Sequence, residues 1–266
     1  MSPRQVKTWG GVAVGDLRER WGREAVYAYG EIDSTNDIAR ALADNGAGEG
    51  TIVVARSQTA GRGRSGNRWY SPEGGLYLSM LFRPRRAEVP PLVTVLAGLG
   101  VARELSRRIP GISVSIKWPN DLVLDGRKLG GILAETHAGA DGAPRLVVGV
   151  GLNVGETEWP TALGGAAIAL AERATATLPE VADAVIAGLE RSIAALPDAL
   201  TPAQLDELDR RDWLKNRRIA LDTGGDEPLV GRGAGIAPDG AFLFRPDRGA
   251  LRRVTTGSVE VLGEDR

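Results

Sequence analysis

The chain has 266 residues, 42% hydrophobic and 25% charged, the balance of a globular protein that can bury its own core. Thirty-three basic residues against 34 acidic give a net charge of −1, which argues against bulk attraction to nucleic acid or membrane surfaces. With no cysteine and one histidine, His137, disulfides, thiol nucleophiles and histidine-rich zinc sites are excluded. Met1 to Gly11 lacks the apolar stretch of a signal peptide, and no run approaches the roughly 20 apolar residues of a membrane span. A cytoplasmic protein is expected.

Residues 1–24 are mixed polar with no strong period and read as an N-terminal extension. Val26 to Tyr29 predicts a short strand. Ser34 or Thr35 can cap a helix from about Asn36 to Asp44, with Ile38, Ala39 and Leu42 inward and Gly46 beyond its end. Strands follow over Thr51–Gln58 and Leu76–Phe82, with a Gly/Arg loop between them. Pro90 and Pro91 open a helix whose buried stripe runs from Leu92 to Ile109. Ile112 to Trp118 is a strand, and Asp125-Gly126 is a hairpin turn between Leu122–Leu124 and Leu129–Glu135. Val147 to Val154 is another strand, and Leu178 to Leu196 a one-faced helix. Pro197, Pro202 and an acidic run mark a boundary. Beyond Trp213, short apolar runs alternate with Gly, Asp and Pro, the pattern of a small β-barrel. The expected organisation is an extension (1–24), a mixed α+β domain (25–212) and a β module (213–266).

Three stretches carry candidate chemistry. Gly61 to Trp69 holds three glycines, whose amides can approach and cradle an anion. Arg62, Arg64 and Arg68 add guanidinium forks suited to carboxylate and phosphate, and Trp69 a flat apolar face. The spacing fits neither a P-loop nor a Rossmann turn. A solvated basic hairpin or an RNA-contacting loop would have the same composition. Lys117-Trp118-Pro119-Asn120-Asp121 ends a strand: the lysine can meet a phosphate, and Asn120 and Asp121 a nucleotide hydroxyl or a hydrated magnesium ion. Ordinary turn chemistry also explains Asn-Asp after Trp-Pro. Lys128 precedes Gly130-Gly131, glycines that suit close approach of a ligand inside a strand, so it could reach the same anion; an ordinary surface lysine is the commoner fate of such a residue. His137, at a strand end, reads as exposed and structural.

In order along residues 30–155, Asp33-Ser34-Thr35-Asn36, Gln58 to Arg64, Trp69, Leu76 to Ser79, Lys117 to Asp121, Lys128 to Leu133 and Gly149 to Val154 resemble the biotin–protein ligase family. The β texture after Trp213 looks like that family's SH3-like domain. The resemblance implies a mixed-sheet catalytic domain related to class II synthetases, followed by a small SH3-like barrel. It implies that biotin's carboxylate attacks the α-phosphorus of ATP, and that a lysine of a biotin carboxyl carrier domain then takes biotin from biotinyl-5′-AMP. Carried over motif by motif, biotin would contact Ser34, Thr35, Asn36, Gln58, Arg62, Gly63, Arg64, Lys128 and Gly131. The nucleotide would contact Arg64, Trp69, Lys117, Asn120 and Asn153, with Arg64, Lys117 and Lys128 catalytic and Asp121 at a magnesium ion. The loop would order over the ligand. Ser65 and Asn67 stand where many relatives carry further basic residues, and Glu156 to Ile168 departs from the expected adenine-binding loop. With about 25 residues before the catalytic pattern, no repressor helix-turn-helix and no DNA binding are expected, and the assembly is a monomer or homodimer. A lipoate ligase or octanoyltransferase, and a non-catalytic RNA-binding protein, are the rival readings.

Overall fold

A computed structural model describes residues 3–84, 92–139, 141–155, 159–161, 165–193, 196–225 and 227–263. Along the chain run β1 (Thr8–Trp9), β2 (Val12–Ala13), α1 (Val14–Trp21), β3 (Val26–Ile32), α2 (Thr35–Asp44), β4 (Ile52–Gln58) and β5 (Leu76–Phe82). Then come α3 (Leu92–Arg108), β6 (Ser115–Lys117), β7 (Asp121–Leu124), β8 (Arg127–Ala138), β9 (Pro144–Leu152), α4 (Leu178–Ile193) and α5 (Pro202–Arg211). The last five strands are β10 (Arg218–Asp222), β11 (Leu229–Ile236), β12 (Phe242–Pro246), β13 (Arg252–Val254) and β14 (Ser258–Val261).

Seven strands form one sheet in the order β3-β4-β5-β9-β8-β7-β6, parallel only at β3–β4. Its central strands are apolar on both faces, so each face needs cover. Ile52, Val54, Leu78, Met80, Val148 and Val150 alternate onto the face that packs with α3 and α4. Val53, Ala55, Leu81 and Val147 point the other way, against Ala39 and Ala43 of α2. That second face is only partly roofed by α2, and the rest of it becomes the floor of a cavity. At Asp125 and Gly126 both φ angles are positive (50° and 76°), the geometry a two-residue hairpin with right-handed twist demands.

The last five strands form an antiparallel sheet, order β13-β12-β11-β10-β14, the SH3-like module anticipated from the alternating texture. It does not stand apart. Trp118 is 1% exposed, stacks on Phe242 at 5.3 Å between centroids, and donates its indole N–H to the Gly240 carbonyl at 3.0 Å. Leu214, Ile219, Phe242 and Phe244 therefore belong to the same apolar core as α3 and the large sheet.

Several expectations change. The N-terminal extension is part of the core: Trp9 and Leu17 are fully buried, Trp9 meets Trp21 edge-on, and its indole donates to the Ala55 carbonyl. The apolar residues there are few and widely spaced, so no periodicity showed. α5 lies where a boundary was expected. Its signal is a capping box, Thr201 with Gln204, and Pro202 in the first turn. Strand Ile112–Trp118 shortens to β6, and Pro90-Pro91 lie outside the described residues. His137 is mostly buried rather than exposed, 3.2 Å from Asp44. Among the described residues, no helix is long and apolar enough to cross a membrane.

Candidate active site

Strand register builds the floor of a cavity of about 520 Å³. Gly131 of β8, Gly151 of β9 and Tyr77 of β5 lie opposite one another in one row, and Leu133, Gly149 and Ser79 in the next. Two of these glycines are required by close approach. A Cβ at Gly149 would stand 2.2 Å from Asn36 Oδ1, and one at Gly151 would stand 2.6 Å from Trp69 Nε1. The glycines let the Asn36 amide and the Trp69 indole lie against the sheet.

At one end the polar groups are neutral and joined. Ser34 is the N-cap of α2, yet its hydroxyl makes no capping bond and the residue faces the cavity. Gln58 Oε1 accepts from the Thr35 amide at 2.8 Å and the Thr35 hydroxyl at 3.2 Å, while Gln58 Nε2 donates to Ser71 Oγ at 3.0 Å. Buried Ser79 reaches Thr35 Oγ1 at 2.8 Å and Asn36 Oδ1 at 2.6 Å. Asn36 Nδ2 donates to Glu135 Oε2 at 2.6 Å. Thr35 and Asn36 are each about 5% exposed, so this chain of bonds satisfies groups that would be costly to bury alone.

The loop between β4 and β5 closes on itself. Gly63 donates to the Asn67 carbonyl at 2.7 Å and Trp69 to the Gly61 carbonyl at 2.8 Å, with Arg62 and Arg68 opposite each other. Its three arginines differ. Arg62 is held by Asp37 at 2.5 Å and Glu135 at 3.1 Å, and the hydrogen bond to Asp37 raises its pKa despite partial burial. Arg68 donates to the Thr59 carbonyl on an exposed face. Arg64 is half-buried in the cavity wall, where burial lowers its pKa against the pull of Asp121.

Near Arg64 lie two lysines. Lys128 pairs with Asp121 at 2.7 Å and sits 5.3 Å over the Trp69 ring. Lys117 stands 5.8 Å over Trp213, and burial, opposed by the Asp121 charge and assisted by Lys128, lowers its pKa. Asn120 closes the corner, its amide donating to the Ile132 carbonyl. Three cations therefore share one carboxylate, an environment suited to an anion. Trp69 Nε1 is buried with no hydrogen-bond partner among the described residues.

The structure brings Ser34, Thr35, Asn36, Gln58, Arg62, Gly63, Arg64, Trp69, Lys117, Asn120, Asp121, Lys128 and Gly131 to this cavity. Asn153 lies behind these residues: it is buried, and its amide donates to the Lys128 and Ile168 carbonyls at 3.2 Å each. Of the segment Glu156 to Ile168, residues 156–158 and 162–164 lie outside the described residues. Sequence reasoning also missed the wall contributed by the C-terminal module, Asp222 to Gly224 and Thr256 to Val259. Arg64 reaches the Gly257 carbonyl there at 3.4 Å. Turn residues of this kind carry no local signal of a partner about 190 residues away. Among the described residues, no group of three His, Asp or Glu could hold a metal ion.

Comparison with known families matches residues 30–153 to the biotin/lipoate A/B protein ligase family. A biotin–[acetyl-CoA-carboxylase] ligase from Paracoccus denitrificans is 32% identical over 226 residues, covering 82% of this chain and 90% of its own. The chain belongs to the biotin/lipoate A/B protein ligase family. Within that family, the bifunctional ligase/repressor BirA of Bacillus subtilis (strain 168) is 36% identical over 183 residues, 64% of this chain; the match spans about half (55%) of that relative's length. The biotin protein ligase of Aquifex aeolicus, solved in complex with biotin and ATP, shares the fold of this family member with a TM-score of 0.77 at 26% identity, over 90% of this chain and 100% of that one.

Proposed function

We propose that this chain is an ATP-dependent biotin–protein ligase. The observation that carries the proposal is the polarity of the cavity: a neutral end at Ser34, Thr35, Asn36 and Gln58, the last three joined by hydrogen bonds through Ser79, and a cationic end at Arg64, Lys117 and Lys128. Biotin has the same polarity. Its ureido ring offers two donors and an acceptor to short hydroxyl and amide side chains. Its carboxylate, about a valeryl chain away, falls among the cations.

In the first half-reaction, a carboxylate oxygen of biotin bonds to the α-phosphorus of ATP and pyrophosphate leaves. No proton is exchanged, so the enzyme's work is to bring two anions together and stabilise charge at phosphorus. Arg64 and Lys128 hold the carboxylate and α-phosphate, Lys117 reaches the phosphates, and Trp69 and Asn120 contact the nucleotide. A magnesium ion would be held chiefly by substrate phosphates and water, with Asp121, beside Asn120, the carboxylate that would meet it once Lys128 turns to the substrate anions, and it would supply charge neutralisation at the phosphates. In the second half-reaction, the amine of a lysine on a biotin carboxyl carrier domain attacks the acyl carbon, loses a proton, and AMP leaves. A chain with no cysteine and one histidine can do both steps, because the substrates supply each nucleophile.

Incubation with ATP, magnesium, labelled biotin and a carrier domain should label the carrier's lysine. Acceptance of lipoate in place of biotin would overturn the proposal in favour of the family's lipoate branch.

A further inference from the structure

Lys117 and Lys128 both line the cationic end of the cavity, but they are supported in different ways. The Lys128 ammonium pairs with Asp121 at 2.7 Å. Among the described residues, no carboxylate or carbonyl comes within hydrogen-bonding reach of the Lys117 ammonium. What meets it is an indole: its Nζ stands 5.8 Å from the centroid of the Trp213 ring. The backbone places that ring. β6 is an edge strand of the large sheet, and residues just past α5 run along it. Asp212 bridges to Ile116, and the Trp213 amide donates to the Ile116 carbonyl at 2.9 Å, one residue before Lys117. Arg217, just ahead of β10, lays its guanidinium 4.8 Å from the same ring centroid.

We propose that Trp213 is a positioning residue, an aromatic platform that holds the Lys117 ammonium in place and leaves it unpaired for a substrate phosphate. The distinction from Lys128 is chemical. A carboxylate partner neutralises a lysine and has to be displaced by each incoming anion. An aromatic face attracts a cation within about 6 Å of its centroid, yet carries no net charge and leaves the three N–H donors for phosphate oxygens. Such support matters at this position. Burial pushes Lys117 towards its neutral form; the Asp121 charge opposes this, Lys128 adds to it, and Glu260 of β14 opposes it from the C-terminal module. The ring favours the charged form without closing the lysine off. Because Trp213 lies in the link between α5 and β10, the platform also ties this lysine to the junction of the two domains. The part that Lys117 plays at the phosphates rests on the biotin-ligase reading; its contact with the ring does not.

The test uses the full chain with Trp213→Leu, which keeps apolar bulk without an aromatic face, and Trp213→Phe, which keeps a face. Trp213→Met takes the place of the leucine variant if that chain does not fold. Affinity for magnesium-ATP, measured by calorimetry without biotin, should fall about five- to tenfold in Trp213→Leu, and Trp213→Phe should retain most of it. Affinity for biotin without ATP should stay as it is in the wild type. In a Lys117→Met background, Trp213→Leu should weaken ATP binding little further, because the ring acts through the ammonium that is already gone. Unchanged ATP affinity in Trp213→Leu overturns the proposal. So do additive losses in the double variant, or a parallel fall in biotin affinity, either of which would make Trp213 a packing residue of the domain junction. The ATP comparison involves neither biotin nor the carrier, so a failed carrier-labelling experiment would sink the biotin-ligase reading and leave this result standing.

Discussion

At the neutral end of the cavity, Thr35, Asn36, Gln58 and Ser79 hydrogen-bond to one another on α2 and the sheet; at the cationic end, Arg64, Lys117 and Lys128 face one another around Asp121. The first arrangement is stable as it stands, since every bond is made within the chain. The second is held against repulsion and desolvation, and Lys117 and Arg64 both have lowered pKa values as a result, with burial the largest cause. The neutral end also comes from one domain, whereas the cationic end draws on a loop, two strand ends and the C-terminal module. The difference teaches where specificity and rate should separate. Changes at the neutral end should act on affinity for the small substrate, and changes at the cationic end on the chemical step.

The largest effect expected is on the scaffold joining the two domains beneath the cationic end. Trp118→Ala removes a fully buried indole, its stack on Phe242 and its bond to Gly240. Loss of a large buried aromatic costs about 3–5 kcal/mol, which chemical denaturation will read. If stability holds, the module is not anchored through that ring. Next is Lys128→Ala. It should slow pyrophosphate release about 100- to 1,000-fold, the scale of losing one preorganised partner of a reacting oxyanion. Affinity for biotin, measured by calorimetry without ATP, should fall much less. Equal losses in both would dissolve the distinction between the ends.

How much of this was legible from sequence follows the range of each interaction. The α2 helix, the Asp125-Gly126 hairpin and the apolar strands depend on residues within a turn or two, and their patterns were plain. The cavity residues from Ser34 to Gly131 were found because motifs in fixed order marked them, although Asn36 and Gln58 taken alone would be ordinary polar residues. What escaped was set by tertiary register. Ser79 lies under Asn36 because β5 pairs with β9 at Gly149. Asp37 and Glu135 meet at Arg62 although about a hundred residues separate them. The two carbonyls that the Asn153 amide satisfies, of Lys128 and Ile168, are likewise brought together by the fold and not by the motif.

Gly149→Ala probes the neutral end alone. The new methyl meets Asn36 Oδ1 at 2.2 Å, so the amide must move and its bonds to Ser79 and Glu135 weaken. Biotin affinity should drop about tenfold or more, some 1.4 kcal/mol, with ATP binding little changed. A parallel fall in ATP affinity would show the ends to be coupled more tightly than their hydrogen bonds imply.

The smallest effect tests the support under Lys117. Asp212 lies beside Ile116 in a parallel bridge, one oxygen accepting from the Leu214 amide and the other buried without a partner among the described residues. Burial, reinforced by the Asp209 charge, pushes its carboxyl up to about 6 from 3.8. The unfolded chain gives up this proton first. Between about pH 4 and 6 the folded protein therefore binds more protons than the unfolded one, and stability falls as pH rises through that window. Asp212→Asn removes the ionisation and keeps the oxygen that accepts from Leu214. The buried amide nitrogen then lacks a partner, which offsets part of the gain. A net increase of about 1 kcal/mol above pH 7, turning into a net loss near pH 4 where only the unpartnered nitrogen remains, is expected from denaturation at both values. A variant that is equally stable at every pH would mean that Asp212 is hydrated in solution, and that the cationic end rests on a less strained base than its buried carboxyl implies.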